Sequence, residues 1–301
     1  MNMQKKGNIS DKLIRVLFVL PALALFAIII VIPVLSAVPY SLFNLRGFRF
    51  EEFIGLRNYI NMLQSQLFWN ALRNTIIYTL LNSAIMLSTA LIVSILLYSL
   101  AAKRKKGYRS FRTVFLTPIC LSSAVVGFMW QFIYHPRVGL LNGLLSLIGL
   151  EEYTQAWLAN ERYILLLLII PAIWQWGGFY IILLFTSIMN VPSELTEAAM
   201  IDGASRLQTI RKVIIPMITP TLEYVCILAL TGAARAFDLI WIMTRGGPGN
   251  ASETIALYMY RQAFNWGNFE MGTTIGISLF VICAIFVVIN RKIFERLNWD
   301  K

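Results

Sequence analysis

Apolar residues dominate six long stretches of this chain, and the polar and charged positions collect in blocks between them. Crossing about 30 Å of hydrocarbon at about 1.5 Å per helical residue takes roughly 20 residues. Residues 16–39, 74–100, 113–134, 163–189, 218–243 and 272–290 meet that length and are predicted as membrane-spanning helices. The expected fold class is therefore all-α: a polytopic membrane protein with six transmembrane helices in one domain, 16–290, flanked by tails at 1–15 and 291–301. Two shorter amphipathic pieces, 139–150 and 254–264, are too short to span and are expected to lie at the membrane interface.

Composition agrees with this reading. Hydrophobic residues make up 58% of the 301 and charged residues only 14%, with a mean hydropathy of +0.68, so polar surface is too scarce to cover a soluble globule of this size. Lys5, Lys6, Lys12 and Arg15 before the first stretch resemble the basic start of a signal peptide, but the apolar run is longer than such a core and no small-residue cleavage site follows, so it is read as an uncleaved span. Placing the N-terminus inside puts 17 of the 26 lysines and arginines in inner segments and 8 in outer ones, with Arg235 inside the fifth span. The positive-inside bias thus predicts six spans with both termini in the cytoplasm.

The net charge of +11 is dispersed among span ends and forms no basic stripe for nucleic acid. Cys120, Cys226 and Cys283 lie in apolar runs without metal-ligand spacing, and His135 is the only histidine; zinc and Ser-His-Asp chemistry have no basis. No Gly-Lys pair occurs, hence no phosphate-binding Walker loop.

The 191–216 stretch between spans four and five carries well-formed local signals. Pro192 and Ser193 open a helix, Glu194 and Glu197 sit in its first turns, and Gly203 stops it. Ser205 and Gln208 have capping-box spacing, Leu207, Ile210 and Ile214 recur at helical intervals, and Pro216 ends the run. Helices this short are marginal alone, so something packs on them: either a groove in a partner protein or the chain's own membrane domain.

Glu197-Ala198-Ala199, then Gly203, then Val213, Ile215 and Pro216 resemble the EAA motif of ATP-binding-cassette (ABC) importer permeases, with Val for Ile and Ile for Leu. The resemblance implies a type I ABC importer permease fold and a coupling helix that docks in a cleft of an ATPase subunit. It implies that Glu197 makes a polar contact there, that Gly203 permits the turn, and that Ala198, Ala199, Asp202 and Pro216 belong to the same coupling element. Phe237-Asp238-Leu239-Ile240, Thr244-Arg245-Gly246-Gly247-Pro248-Gly249 and Tyr260-Arg261-Gln262-Ala263-Phe264 are similar to motifs of sugar and glycerophosphate permeases, within them the F-type subunit of maltose importers. The implied partners are a G-type (MalG-like) sister permease, two ABC ATPase subunits, an extracytoplasmic sugar-binding protein and membrane lipid. ATP and Mg belong to the ATPases, with no cofactor and no catalysis in this chain. The sequence departs from the maltose protein in having six spans, and its 41–69 loop is too short for that protein's outer domain.

A sugar offers hydroxyl edges and apolar faces, so a pathway needs polar side chains beside aromatic rings. Arg235 and Asp238 in span five, with Phe237 and Trp241, are candidates, or else a structural ion pair. Trp174, Gln175 and Trp176, followed by Gly177 and Gly178 and a predicted kink, are a second set, or else a packing surface; Asn82 and Gln131 are further candidates. Trp157, Tyr163 and Trp266 read as interfacial belt residues. The expected mechanism is alternating access carrying a di- or oligosaccharide inward. The alternatives are import of glycerol phosphate and a secondary transporter driven by an ion gradient.

Overall fold

The computed structural model describes residues 9–47, 49–102 and 113–297. Lys5, Lys6, the basic run 103–112 and Lys301, which enter the orientation argument, lie outside the described residues. The first apolar stretch is helical from Ile9–Phe26 (α1) through a π-helical turn, Ala27–Val31, into Ile32–Leu42 (α2). The widened turn has a local cause. Pro33 brings no N–H to the carbonyl one turn back, and the Ile32 N–H bonds Ala27 O instead.

A β-hairpin follows, Phe43–Arg46 (β1) against Arg49–Phe53 (β2), antiparallel with a bulge between Asn44 and Leu45. It is an addition to the mostly helical fold that the expectation did not include. Phe43 lies 5.0 Å from the Phe50 ring and 5.1 Å from Phe53, and Phe50 stacks 4.9 Å from Tyr40, so aromatic pairing across the ladder holds these short strands.

Arg57–Gln64 (α3) leads into the long Gln66–Ala102 (α4). The third apolar stretch is not one rod. Thr113–Cys120 (α5) and Ser123–Ile133 (α6) meet at 101°. Pro118 lies in the 3-10 turn that ends α5, and Ser122 turns extended and caps α6 by accepting from the Val125 N–H at 3.4 Å. Leu140–Leu147 (α7) lies in the following loop with Leu144 and Leu147 exposed, while buried Asn142 ties it to Pro136 and Gln155.

Ile164–Met189 (α8) is the centre of the bundle. Of its most apolar window 61% is buried, against 0% for the first stretch. It runs as one helix through 174–178, so the predicted kink is not a break there. After α8 come Ser193–Ile201 (α9), Arg206–Thr209 (α10), a π turn Ile210–Ile214 and Ile215–Met217 (α11). This second π turn again precedes a proline, Pro216, by the same local cause.

The fifth apolar stretch is Thr219–Ala234 (α12) and Asp238–Met243 (α13), interrupted at 235–237. Ile255–Tyr260 (α14) and a π turn Arg261–Asn265 precede Phe269–Leu297 (α15). The interfacial expectation for 254–264 is corrected: Ile255, Ala256, Leu257 and Tyr258 are buried, three of them packed with Met62, Phe68, Ala71 and Ile275. Among the described residues, five helices are long and apolar enough to cross a membrane, or six if the bent α5–α6 pair is one span.

Candidate functional site

Two places gather the residues singled out above: the 191–216 loop, and a cavity among α4, α8 and α12. In the loop, Pro192 opens α9 and its end is fully capped. The Gly203 N–H donates to Met200 O at 3.1 Å and the Ala204 N–H to Ala199 O at 2.9 Å, a Schellman closure with Gly203 at φ +81°. Ser205 starts α10 in a complete capping box, its N–H donating to Gln208 Oε1 at 2.7 Å while its Oγ accepts from the Gln208 N–H at 3.4 Å. Ile214 and Ile218 pack on Ile188, which anchors the loop to the end of α8. Glu197, Ala198, Asp202 and Gly203 are exposed, and Ala199 and Pro216 half-buried. Apolar side chains also face outward: Leu195, Met200, Ile201 at 86% and Leu207 at 74% exposure.

The cavity holds about 550 Å³ and is bordered by Asn82, Trp176, Arg235, Phe237 and Asp238, with the hydroxyl-bearing Tyr78 beside Asn82. Asn82 Nδ2 donates to Tyr78 Oη at 3.3 Å. Arg235 ends α12 and Asp238 begins α13, so each charge sits at the helix end whose dipole favours it. Both are exposed, and no ion pair joins them among the described residues. Arg235 Nε donates to Thr231 O at 3.0 Å, and the freed Ala236 carbonyl accepts from Thr254 Oγ1 at 3.2 Å.

The other candidates lie beside the cavity and do not border it. Gln175 is buried and its Nε2 donates to Leu121 O at 3.0 Å, satisfying the carbonyl exposed by the α5–α6 bend. Gln131 Nε2 donates to Ile242 O at 2.7 Å and Met243 O at 3.1 Å, closing the end of α13. Trp174 meets Trp130 edge-on at 6.4 Å. Gly178 has a packing reason: a Cβ there would fall 1.8 Å from the Phe115 carbonyl oxygen. Trp241 stacks on Phe237 at 6.1 Å.

Sequence reasoning missed the 244–254 segment as a built structure. Glu253 is buried and paired with Arg261 at 2.8 Å. Burial pushes its carboxyl up to about 7, and the Arg261 guanidinium pulls it down less strongly. Arg261 also donates to Arg245 O and to Asn250 Oδ1 at 3.4 Å, while Asn74 donates to Asn250 O and Glu253 O, both at 3.0 Å. A glutamate and an arginine on either side of a short apolar helix, eight residues apart, carry no periodic signal that would reveal this.

Residues 90–299 match the family described as binding-protein-dependent transport system inner membrane component. A probable ABC transporter permease protein, YurN of Bacillus subtilis, is 34% identical over 95% of this chain and 97% of its own length. The trehalose/maltose transport system permease protein MalF of Thermococcus litoralis is 29% identical over 97% of each. Among solved structures, a chain of a bacterial ABC transporter that imports the acidic polysaccharide alginate superposes with a TM-score of 0.84, covering 98% of both chains at 22% identity.

Proposed function

The chain belongs to the family of binding-protein-dependent transport system inner membrane components, as an ABC importer permease of the sugar-transport type, and from that premise we propose that it carries a di- or oligosaccharide inward by alternating access. In this reading it spans the membrane six times with both termini and the 191–216 loop in the cytoplasm. It pairs with a MalG-like sister permease and meets two ATPase subunits that hold ATP and Mg. An external sugar-binding protein delivers the cargo.

The observation that carries the proposal is the loop. The C-terminal end of α9 and the N-terminal end of α10 are closed by their own caps, so the turn between them holds its shape unaided, and it displays Glu197 beside Leu195, Met200, Ile201 and Leu207 on the outside. A short helix with two acidic residues, Glu194 and Glu197, beside exposed apolar ones fits a groove of a partner protein, and in the family resemblance that partner is the ATPase. The cavity supplies the second half, because Asn82, Trp176, Arg235 and Asp238 combine hydrogen-bonding groups with an aromatic face around a volume of sugar size.

The test is retrieval of the tagged chain in mild detergent from its own cells, with Glu197→Ala in parallel. Recovery of a second permease and an ABC ATPase, with the ATPase depleted in the variant, is expected. Recovery of the chain alone and active would favour an ion-driven transporter. Uptake of labelled trehalose, maltose, maltotriose and an alginate pentasaccharide then reads the cargo, and Asp238→Ala is expected to change which of them is carried.

A further inference from the structure

A file of aromatic rings leaves the cavity. It starts at Phe237, which borders the cavity, and continues along one face of α13, where Trp241 lies 6.1 Å away with its plane within 12° of parallel. Four residues on, the Arg245 guanidinium sits 5.5 Å from the Trp241 ring. Tyr260 of α14 closes against both rings, 5.0 Å from Phe237 and 5.1 Å from Trp241, and Phe264 follows at 5.1 Å from Tyr260. Phe237, Trp241 and Tyr260 are half-buried and Phe264 is 67% exposed. The first two are backed by the core cluster of Ile164, Leu168 and Ile240, so their positions are fixed.

Arg245 is held in place at a conformational cost. Its φ of +49° is one that a side chain with a Cβ rarely adopts, and its carbonyl accepts from Arg261, which is itself paired with Glu253. A strained residue retained by a buried ion pair points to function. Charged groups therefore stand beside the rings, Arg235 and Asp238 at the cavity and Arg245 against Trp241.

We propose that Phe237, Trp241, Tyr260 and Phe264, with Arg245 beside Trp241, form a stacking track for the pyranose rings of the transported saccharide, a second sugar subsite continuous with the cavity. The track rests on the sugar-import reading. Pyranose faces carry the C–H groups that lie flat on aromatic rings, and their hydroxyl edges reach the arginine and aspartate groups. Continuity through Phe237 separates this arrangement from an interfacial aromatic belt, whose rings need no link to a polar cavity.

The test uses the importer purified from its own cells with its ATPase and binding protein, and the four labelled saccharides above as probes. The readout is saccharide imported per ATP hydrolysed. Trp241→Leu is expected to lower that ratio by about fivefold, more for maltotriose than for maltose, and Trp241→Phe to restore it to within about twofold. An unchanged ratio in Trp241→Leu would overturn the track. So would equal losses in the Leu and Phe variants accompanied by a fall in membrane content and melting temperature, which would mark a packing or belt role. If the wild-type complex imports none of the probes, the sugar-import reading itself falls, and the track with it.

Discussion

Glu253 is pulled in two directions: Arg261 stabilises its charge from 2.8 Å away while burial penalises that charge more. Because the folded-state value rises from 4.5 to about 7, the folded protein binds a proton over this interval that the unfolded chain releases. The stability this group contributes is full below about pH 4.5 and is lost as pH rises through about 7, by an amount of the order of 3 kcal/mol. Glu253→Gln keeps the size and cannot ionise, so its thermal unfolding in detergent should depend less on pH between 5 and 8 than that of the wild type; equal slopes would refute the assignment. Gln175 works without charge. Gln175→Leu strands the Leu121 carbonyl at the bend and should cost about 1–3 kcal/mol in the same unfolding measurement, and an unshifted transition would show that the carbonyl had found another donor.

At the level of elements, two glycines make opposite demands. A Cβ at Gly203 would meet nothing within 4 Å, so Gly203→Ala costs only the left-handed backbone strain, about 1 kcal/mol, and Gly203→Asn less. Gly178→Ala drives a methyl into the Phe115 backbone and should cost about 3 kcal/mol. Melting temperature and membrane content should therefore fall further for Gly178→Ala than for Gly203→Ala, and the reverse order would contradict the packing of α8 on α5. The Gly203 turn, the Ser205–Gln208 box and the long apolar stretches were legible because their causes lie within a few residues. The breaks at 121–122 and 235–237 were not, since their freed carbonyls are met from afar: Gln175 lies 54 residues beyond Leu121, and Thr254 lies 18 beyond Ala236. A window of apolar residues looks the same whether its helix is straight or broken. For the same reason the backbone bonds of Gln175 and Gln131 were not legible in the sequence, and the hairpin at 43–53 rests on ring contacts that a helical periodicity does not register.

Across the whole molecule, burial is uneven, from the enclosed α8 to a first stretch that meets the body mainly where α2 crosses α15. The charge asymmetry predicts the orientation. An alkaline phosphatase fused after Gly249 should be active and one fused after Gly203 inactive, with the reverse pattern for a fluorescent protein that matures only in the cytoplasm; the opposite result would invert the topology. The closure of the 191–216 loop reaches beyond this one chain. The turn between α9 and α10 satisfies its own backbone, and the segment meets the body through an isoleucine cluster, so its shape is set locally and its seat by three side chains. If the segment is the docking element proposed above, grafting these 26 contiguous residues from a related permease should leave the chain folded and change only which ATPase it retains, and loss of the folded chain would contradict this local closure.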